Sequence, residues 1–234
     1  MGIRRGSIST PIIADGLVFN MDAANRASTI PSTSTDKAFN TVDTSIFGSF
    51  VNDTIYDSST ITPSYAFDGS ADYINYSADQ DYGKINTISL WYNRPSSATQ
   101  VLFGNSANNA WYNYTVRIAT DGGIKYVTDA QVGTIDFNSA GTKSLANVYN
   151  AWINITITRI NDICNCYINA INNDGEKTLS NGSRAIIVDK IGIAGDNASF
   201  AFTGNIGPIH VYNRALSANE VLHNYNALKS RFGL

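Results

Sequence analysis

The chain has 234 residues, with 16 Lys plus Arg against 19 Asp plus Glu, and charged residues make up 15% of it against about 25% in an average globular domain. A net charge of -3 leaves no basic face for phosphate contacts, which excludes nucleic acid as a partner. At 43% hydrophobic and 11% aromatic residues the composition supports one folded unit with a sizeable core rather than a disordered chain.

Residues 1–14, where Ile3, Arg4, Arg5 and Ile8 sit among Ser, Thr and Pro, predict an extended arm ahead of a first strand over 17–21. The start carries no secretory apolar core and no run approaches the ~20 apolar residues of a membrane span, so the expected product is made in a cytoplasm. From Ala23 to about Thr62 the sequence is Ser, Thr, Asn and Asp with scattered Ile and Phe, which predicts a long loop-rich excursion. Beyond it, a period of two dominates, in 87–92, 112–118, 152–159 and 163–168. Turn residues such as Asp121-Gly122-Gly123 and Asn161-Asp162 between these runs predict antiparallel hairpins over 112–129 and 152–169. Ser77-Ala78-Asp79-Gln80-Asp81-Tyr82-Gly83 reads as a solvated loop.

At the far end Ser217 and Glu220 form a capping box, with Leu216 and Val221 as the hydrophobic staple. The spacing predicts a helix over about 217–230, with Val221, Leu222, Tyr225 and Leu228 on its buried stripe and Gly233 as its stop. No internal repeat is present, which disfavours solenoids and propellers. The expected fold is all-β, a two-sheet antiparallel jelly-roll sandwich over 15–234 with a short C-terminal α-helix. Cys164 and Cys166, two apart, are expected to be reduced thiols, and no Cys or His lies near enough in sequence to complete a zinc site with them. His210 is expected to pack in a strand and His223 to lie on the helix surface. Trp91 and Trp152, inside apolar strands, are expected in the core.

Three blocks, Gly16 to Asn25, Tyr65 to Ile74 and Thr87 to Trp91, together with Phe202 to Ser217, resemble the laminin-G-like branch of the concanavalin A-like lectin/glucanase superfamily. The tail Asn224 to Leu234 is similar to endings common in virion proteins of tailed phages. The resemblance implies a jelly roll of about a dozen strands, and it raises three questions of chemistry.

The first is catalysis. The glucanase branch carries alternating acids on one strand, whereas Glu176 sits in a turn and Glu220 in the helix cap, so no enzyme is expected. The second is calcium, the cofactor this superfamily most often uses. Its candidate ligands are Asp22, Asn25, Asp68 and Asp72, with the alternative that Asp68-Gly69 is a turn pair and Asp72 caps the next strand. No other cofactor is expected. The third is sugar binding, which needs exposed aromatic rings flanked by amides. Asn109, Trp111, Tyr112 and Tyr114 form the best such group and Tyr73 with Tyr76 the next, although strand alternation turns Trp111 away from Tyr112 and Tyr114.

Two functions follow from this reading. One is a noncatalytic virion protein of a tailed phage, docked through Ile3, Arg4, Arg5 and Ile8 to a capsid, portal-proximal or tail protein, with a homotrimer as the expected assembly. The other is an adhesion module that binds a cell-surface glycan.

Overall fold

The alternating runs pair into two antiparallel sheets of eight strands each in a computed structural model. It describes residues 11–29, 36–58, 62–105, 114–128, 134–137, 145, 147–179, 184–195 and 198–234, with backbone alone at Tyr114, Thr115 and Thr134. In chain order the first eight strands are β1 (Leu17–Met21), β2 (Lys37–Phe39), β3 (Phe47–Val51), β4 (Ile55–Asp57), β5 (Ser64–Asp68), β6 (Tyr73–Asp81), β7 (Ile85–Asn93) and β8 (Gln100–Gly104). The rest are β9 (Tyr114–Ile118), β10 (Ile124–Val127), β11 (Thr134–Phe137), β12 (Ile153–Ile160), β13 (Ile163–Ile168), β14 (Ile171–Thr178), β15 (Ile187–Ile191) and β16 (Thr203–Tyr212). One sheet runs β14-β13-β12-β7-β16-β5-β4, with β1 also paired to β16; the other runs β11-β10-β9-β8-β15-β6-β3-β2.

Strand alternation sorts the side chains. On the first sheet Ile88, Leu90, Tyr92, Ile155, Ile157, Ile206, Ile209 and Val211 face inward, and they meet Ile74, Tyr76, Leu102, Phe103, Val116, Ile118 and Tyr126 of the second. Both expected hairpins form, β9 with β10 and β12 with β13.

The 23–62 excursion is more ordered than its composition predicts: β2 and β3 extend the second sheet and β4 edges the first. These strands are three to five residues long, too short to display a period. Gly48 in β3 is required sterically, because a Cβ there would sit 2.2 Å from Cγ2 of Ile74. The Ser77–Asp81 stretch is likewise strand rather than loop; it forms the exposed end of β6, with Ile187 and Val188 of β15 opposite Asp81 and Gln80.

Helix α1 (Ala218–Leu228) starts at the Ser217 cap, with both halves of the capping box made. A 3₁₀ turn over Lys229–Phe232 follows, ending at Gly233 in the left-handed region (φ 74°). The expected stripe is only partly right: Val221 is buried, whereas Leu222 faces solvent and Asn224 is buried in its place. Asn224 is occupied with the chain's other end, accepting from the Ile13 amide at 2.8 Å and donating to Tyr212 Oη at 3.0 Å. Tyr212 Oη donates in turn to the Ile13 carbonyl at 3.0 Å, and His223 Nε2 lies 2.9 Å from the Pro11 carbonyl. Residues 11–15 are thereby fixed along α1.

The tail then covers the outer face of the first sheet. Phe232 stacks on Trp91 with centroids 4.0 Å apart, and Tyr225 stacks on the same indole at 5.6 Å. Trp152, also expected in the core, is only half-buried and packs against Phe232 at 4.8 Å. Arg231 makes a bidentate ion pair with Asp22, both bonds 2.8 Å, the fork geometry that makes such pairs strong.

His210 of β16 is buried; desolvation lowers its pKa from 6.5 to about 4. Glu220 is held down, from 4.5 to about 2, first by its hydrogen bonds from Arg214 and then by the Ser217 amide. The unfolded chain takes up a proton at His210 below pH 6.5 and the folded chain only near 4, so stability is lost as pH falls through that window. Glu220 stabilises the fold above about 4.5, and that contribution is lost as pH falls toward 2. Melting temperature followed against pH should therefore decline in two successive steps. His210→Gln should flatten the upper step. Glu220→Gln should lower the melting temperature at neutral pH and flatten the lower step.

Candidate functional site

The outer face of the first sheet is polar in rows, because its outward positions are mostly Thr, Ser and Asn. Beneath α1 and the tail this polarity is satisfied internally. Ser89 Oγ and Thr156 Oγ1 lie 2.8 Å apart, Asn154 Nδ2 donates to the Leu90 carbonyl at 3.1 Å, and Thr87 Oγ1 donates to the Arg214 carbonyl at 2.9 Å.

One row further along β7 and β16, Asn93 stands opposite Asn205, and Asn205 opposite Ala66 of β5. Their neighbours Ile206, Tyr65 and Tyr92 belong to the core, so alternation turns this row outward. Thr203 is the next outward position on β16. Between them Gly204 lies at φ 125°, where an added Cβ would meet the Asn93 carbonyl oxygen at 2.2 Å; a side chain would block the approach of the two strands.

Asn150, in the left-handed region at φ 54°, closes the row from the segment that leads into β12. Its backbone N–H donates to the Arg94 carbonyl at 2.8 Å. Arg94 pins this corner from beneath. Its guanidinium is 1% exposed, donates to the Ala98 and Leu145 carbonyls at 3.3 and 3.2 Å, and lies 5.6 Å from the Tyr149 ring centroid.

Asn93, Asn150, Thr203 and Asn205, with Ala66, Phe67, Pro95 and Gly204, line an open cleft of about 290 Å³, close to the lower end of the ~300–1,000 Å³ of small-molecule sites. Asn205 Nδ2 donates to Ser64 Oγ at 3.1 Å, which fixes that amide. The side chains of Asn93, Asn150 and Thr203 make no hydrogen bond to another described residue. Among the described residues no ionisable side chain lines the cleft.

The residues singled out from sequence lie elsewhere. Asn109, Trp111 and Tyr112 fall outside the described residues, as do Ile3, Arg4, Arg5 and Ile8. Tyr114 opens β9 opposite Gly104, in the other sheet. Tyr76 is buried, and Tyr73 lies under the Lys190 ammonium, 4.7 Å from Nζ.

The four calcium candidates are not gathered at one point. Asp22 has both oxygens on Arg231, which also bonds the Pro63 carbonyl before β5, whereas Asp68 ends that strand. Asn25 Oδ1 accepts from the Ala27 amide at 2.9 Å and Asp68 Oδ1 from the Ser70 amide at 2.6 Å. Asp72 accepts from the Asp53 and Asp68 amides at 3.0 and 2.7 Å, and its burial raises its pKa. These are the bonds of the turn-and-cap alternative. Among the described residues no three His, Cys, Asp or Glu side chains gather as a metal site would require.

The two glutamates likewise lie apart. Glu220 chelates Arg214 at 2.6 and 3.1 Å, and Glu176 is exposed on β14. Cys164 and Cys166 are free and buried, the Cys164 thiol pushed up to about 12 by desolvation. The cleft was missed from sequence because its residues come from positions 93, 150, 203 and 205. The available signal was the polar side of the alternation at the ends of the β7 and β16 runs.

A family profile described as the concanavalin A-like lectin/glucanases superfamily, laminin G type, matches residues 68–222. No curated protein sequence matches the chain. Among solved structures, domain 4 of AbnA, a GH43 extracellular arabinanase from Geobacillus stearothermophilus, in complex with arabinotriose, is similar at 15% identity, with 89% of this chain and 98% of that one covered and a TM-score of 0.60. The binding domain of botulinum neurotoxin serotype D is similar at 14% identity and TM-score 0.65, with 91% of this chain and 52% of that one covered. The binding domain of Paraclostridial Mosquitocidal Protein 1 aligns at 20% identity and TM-score 0.55, over 91% of this chain and 52% of that one. The chain thus spans about half of each toxin domain, and these likenesses concern the fold. With the profile covering well over half its length and the two-sheet architecture in place, the chain belongs to the concanavalin A-like lectin/glucanase superfamily.

Proposed function

We propose that the chain is a noncatalytic carbohydrate-binding module whose contact surface is the amide-lined cleft at the end of β7 and β16. The observation that carries this reading is the convergence of Asn93, Asn150 and Thr203, three side chains without a hydrogen-bond partner among the described residues, beside the fixed amide of Asn205. Amides and hydroxyls that both donate and accept match sugar hydroxyls, which do the same. Trp152, two residues from Asn150 and half-buried over Gly207, adds an aromatic surface near the cleft. The fold is also that of a domain solved with arabinotriose and of toxin binding domains. Catalysis has little support from the acids: both oxygens of Glu220 are on Arg214, and Asp174, the acid two residues from Glu176 on β14, is ion-paired with Lys177 at 2.5 Å.

A second reading is favoured by the way residues 11–15 are bonded to α1. A segment fixed so firmly is a suitable base for an arm, and we propose that Ile3, Arg4, Arg5 and Ile8 dock the module to another protein of a phage particle. The two readings are compatible.

For the first, a glycan array with the purified chain should give binding that falls about tenfold or more in an Asn93→Ala/Asn205→Ala double variant, since two hydrogen bonds at ~0.5–1.5 kcal/mol each are lost. The variant should stay folded, with its melting temperature lowered only modestly by loss of the Asn205–Ser64 hydrogen bond. Undiminished binding would remove the cleft as the site, and loss in a Tyr114→Ala variant instead would move it to the other sheet. For the second, deletion of residues 1–10 should leave the melting temperature unchanged and abolish incorporation into particles; normal incorporation would rule out the arm as the tether.

A further inference from the structure

The chemistry of the cleft constrains which sugars fit it. Resting on the carbohydrate reading, we infer that the cleft takes an uncharged sugar ring and discriminates against sugars that carry a carboxylate or sulfate. Among the described residues its polar lining is made of Asn93, Asn150, Asn205 and Thr203, with no Lys, Arg or His. An anionic substituent placed there would exchange water for neutral groups alone, and an unpaired charge leaves water only at high cost.

Arg94, next to Asn93 in the chain, does not relieve that cost. Its guanidinium is 1% exposed and its terminal nitrogens donate to the Ala98 and Leu145 carbonyls. It is buried behind the cleft and is not among the residues that line it.

The fixed amide adds a directional argument. Asn205 commits one of its two Nδ2 hydrogens to Ser64 Oγ at 3.1 Å, which fixes the direction of its Oδ1 acceptor. A sugar hydroxyl can donate to that oxygen, whereas a carboxylate or sulfate, having only acceptors, is repelled by it. Asn93, Asn150 and Thr203 can each turn to donate or accept, which suits neighbouring hydroxyls of either polarity. The volume of about 290 Å³ accommodates one ring, and its open form leaves room for the chain on either side.

The test is isothermal titration of the full chain against neutral trisaccharides, arabinotriose and cellotriose among them, and against trigalacturonate and sialyllactose. Binding of a neutral trisaccharide, unchanged from low to high salt and at least about tenfold tighter than any acidic one, is expected. It should weaken in Asn93→Ala. A Thr203→Lys variant, checked for an unchanged melting temperature, should gain affinity for trigalacturonate, since it supplies the missing cation. Preference for an acidic sugar in the unaltered chain, lost on Asn93→Ala, would overturn the inference and leave the carbohydrate reading standing. No binding to the trisaccharides or on a glycan array would remove that reading itself.

Discussion

The β7–β16 pair is buried on both faces, and this constraint governs the rest of the molecule. Of the nine residues of β7, all but the first and the last are buried. The inner face is an ordinary sandwich core. The outer face carries Trp91, 1% exposed, which a solvated sheet could not keep dry. The cover is supplied by the end of the chain: α1 contributes Tyr225 and the 3₁₀ turn contributes Phe232, stacked on the indole. Arg231 then ties that cover to Asp22 at the end of β1 and to the Pro63 carbonyl before β5. The C-terminal residues are therefore a third layer of the sandwich, and the polar side chains beneath them are tolerated because they bond one another.

The candidate site arises where that layer ends. Asn154 and Asn93 both occupy outward positions beside Trp91, one across the ladder and one along the strand. Asn154 is 2% exposed, and its amide is bonded to the Leu90 carbonyl and to Ser89 Oγ. Asn93 lies past the edge of the cover, and the hydrogen-bonding capacity that folding satisfies at Asn154 is left over. The same pattern of outward polar residues thus serves packing in one place and offers recognition groups in the next. No special motif is needed, only a boundary between covered and uncovered sheet.

That boundary explains what could be read from the sequence. The long strands announced themselves through β-branched and aromatic alternation, and the capping box located α1 because Ser217 and Glu220 act within one turn. Resemblance gave the superfamily for the same reason, since the core strands and the closing helix carry the family pattern. The short strands of the 23–62 segment were hidden: they pair with β5 and β6 and draw their order from those partners. Arg214, Arg231 and Asn224 act over separations of up to 211 residues, which no local pattern displays. The cleft is the extreme case, three asparagines and a threonine from three parts of the chain, ordinary residues made notable only by the register of β16.

Register also relates the two proposed surfaces. The segment before β1 is bonded at Tyr212, the last residue of β16, whereas the cleft is built on Thr203, Gly204 and Asn205 at its start. Ten residues of strand at ~3.3 Å each separate them by roughly 30 Å. A particle contact made through the arm would load α1 and, through the Asp15–Arg214–Glu220 ion pairs, the adjoining end of β16. The cleft stands at the opposite end of the same strand, so a module anchored in this way holds it away from the attachment point, the orientation in which a surface glycan can be reached without disturbing the anchor.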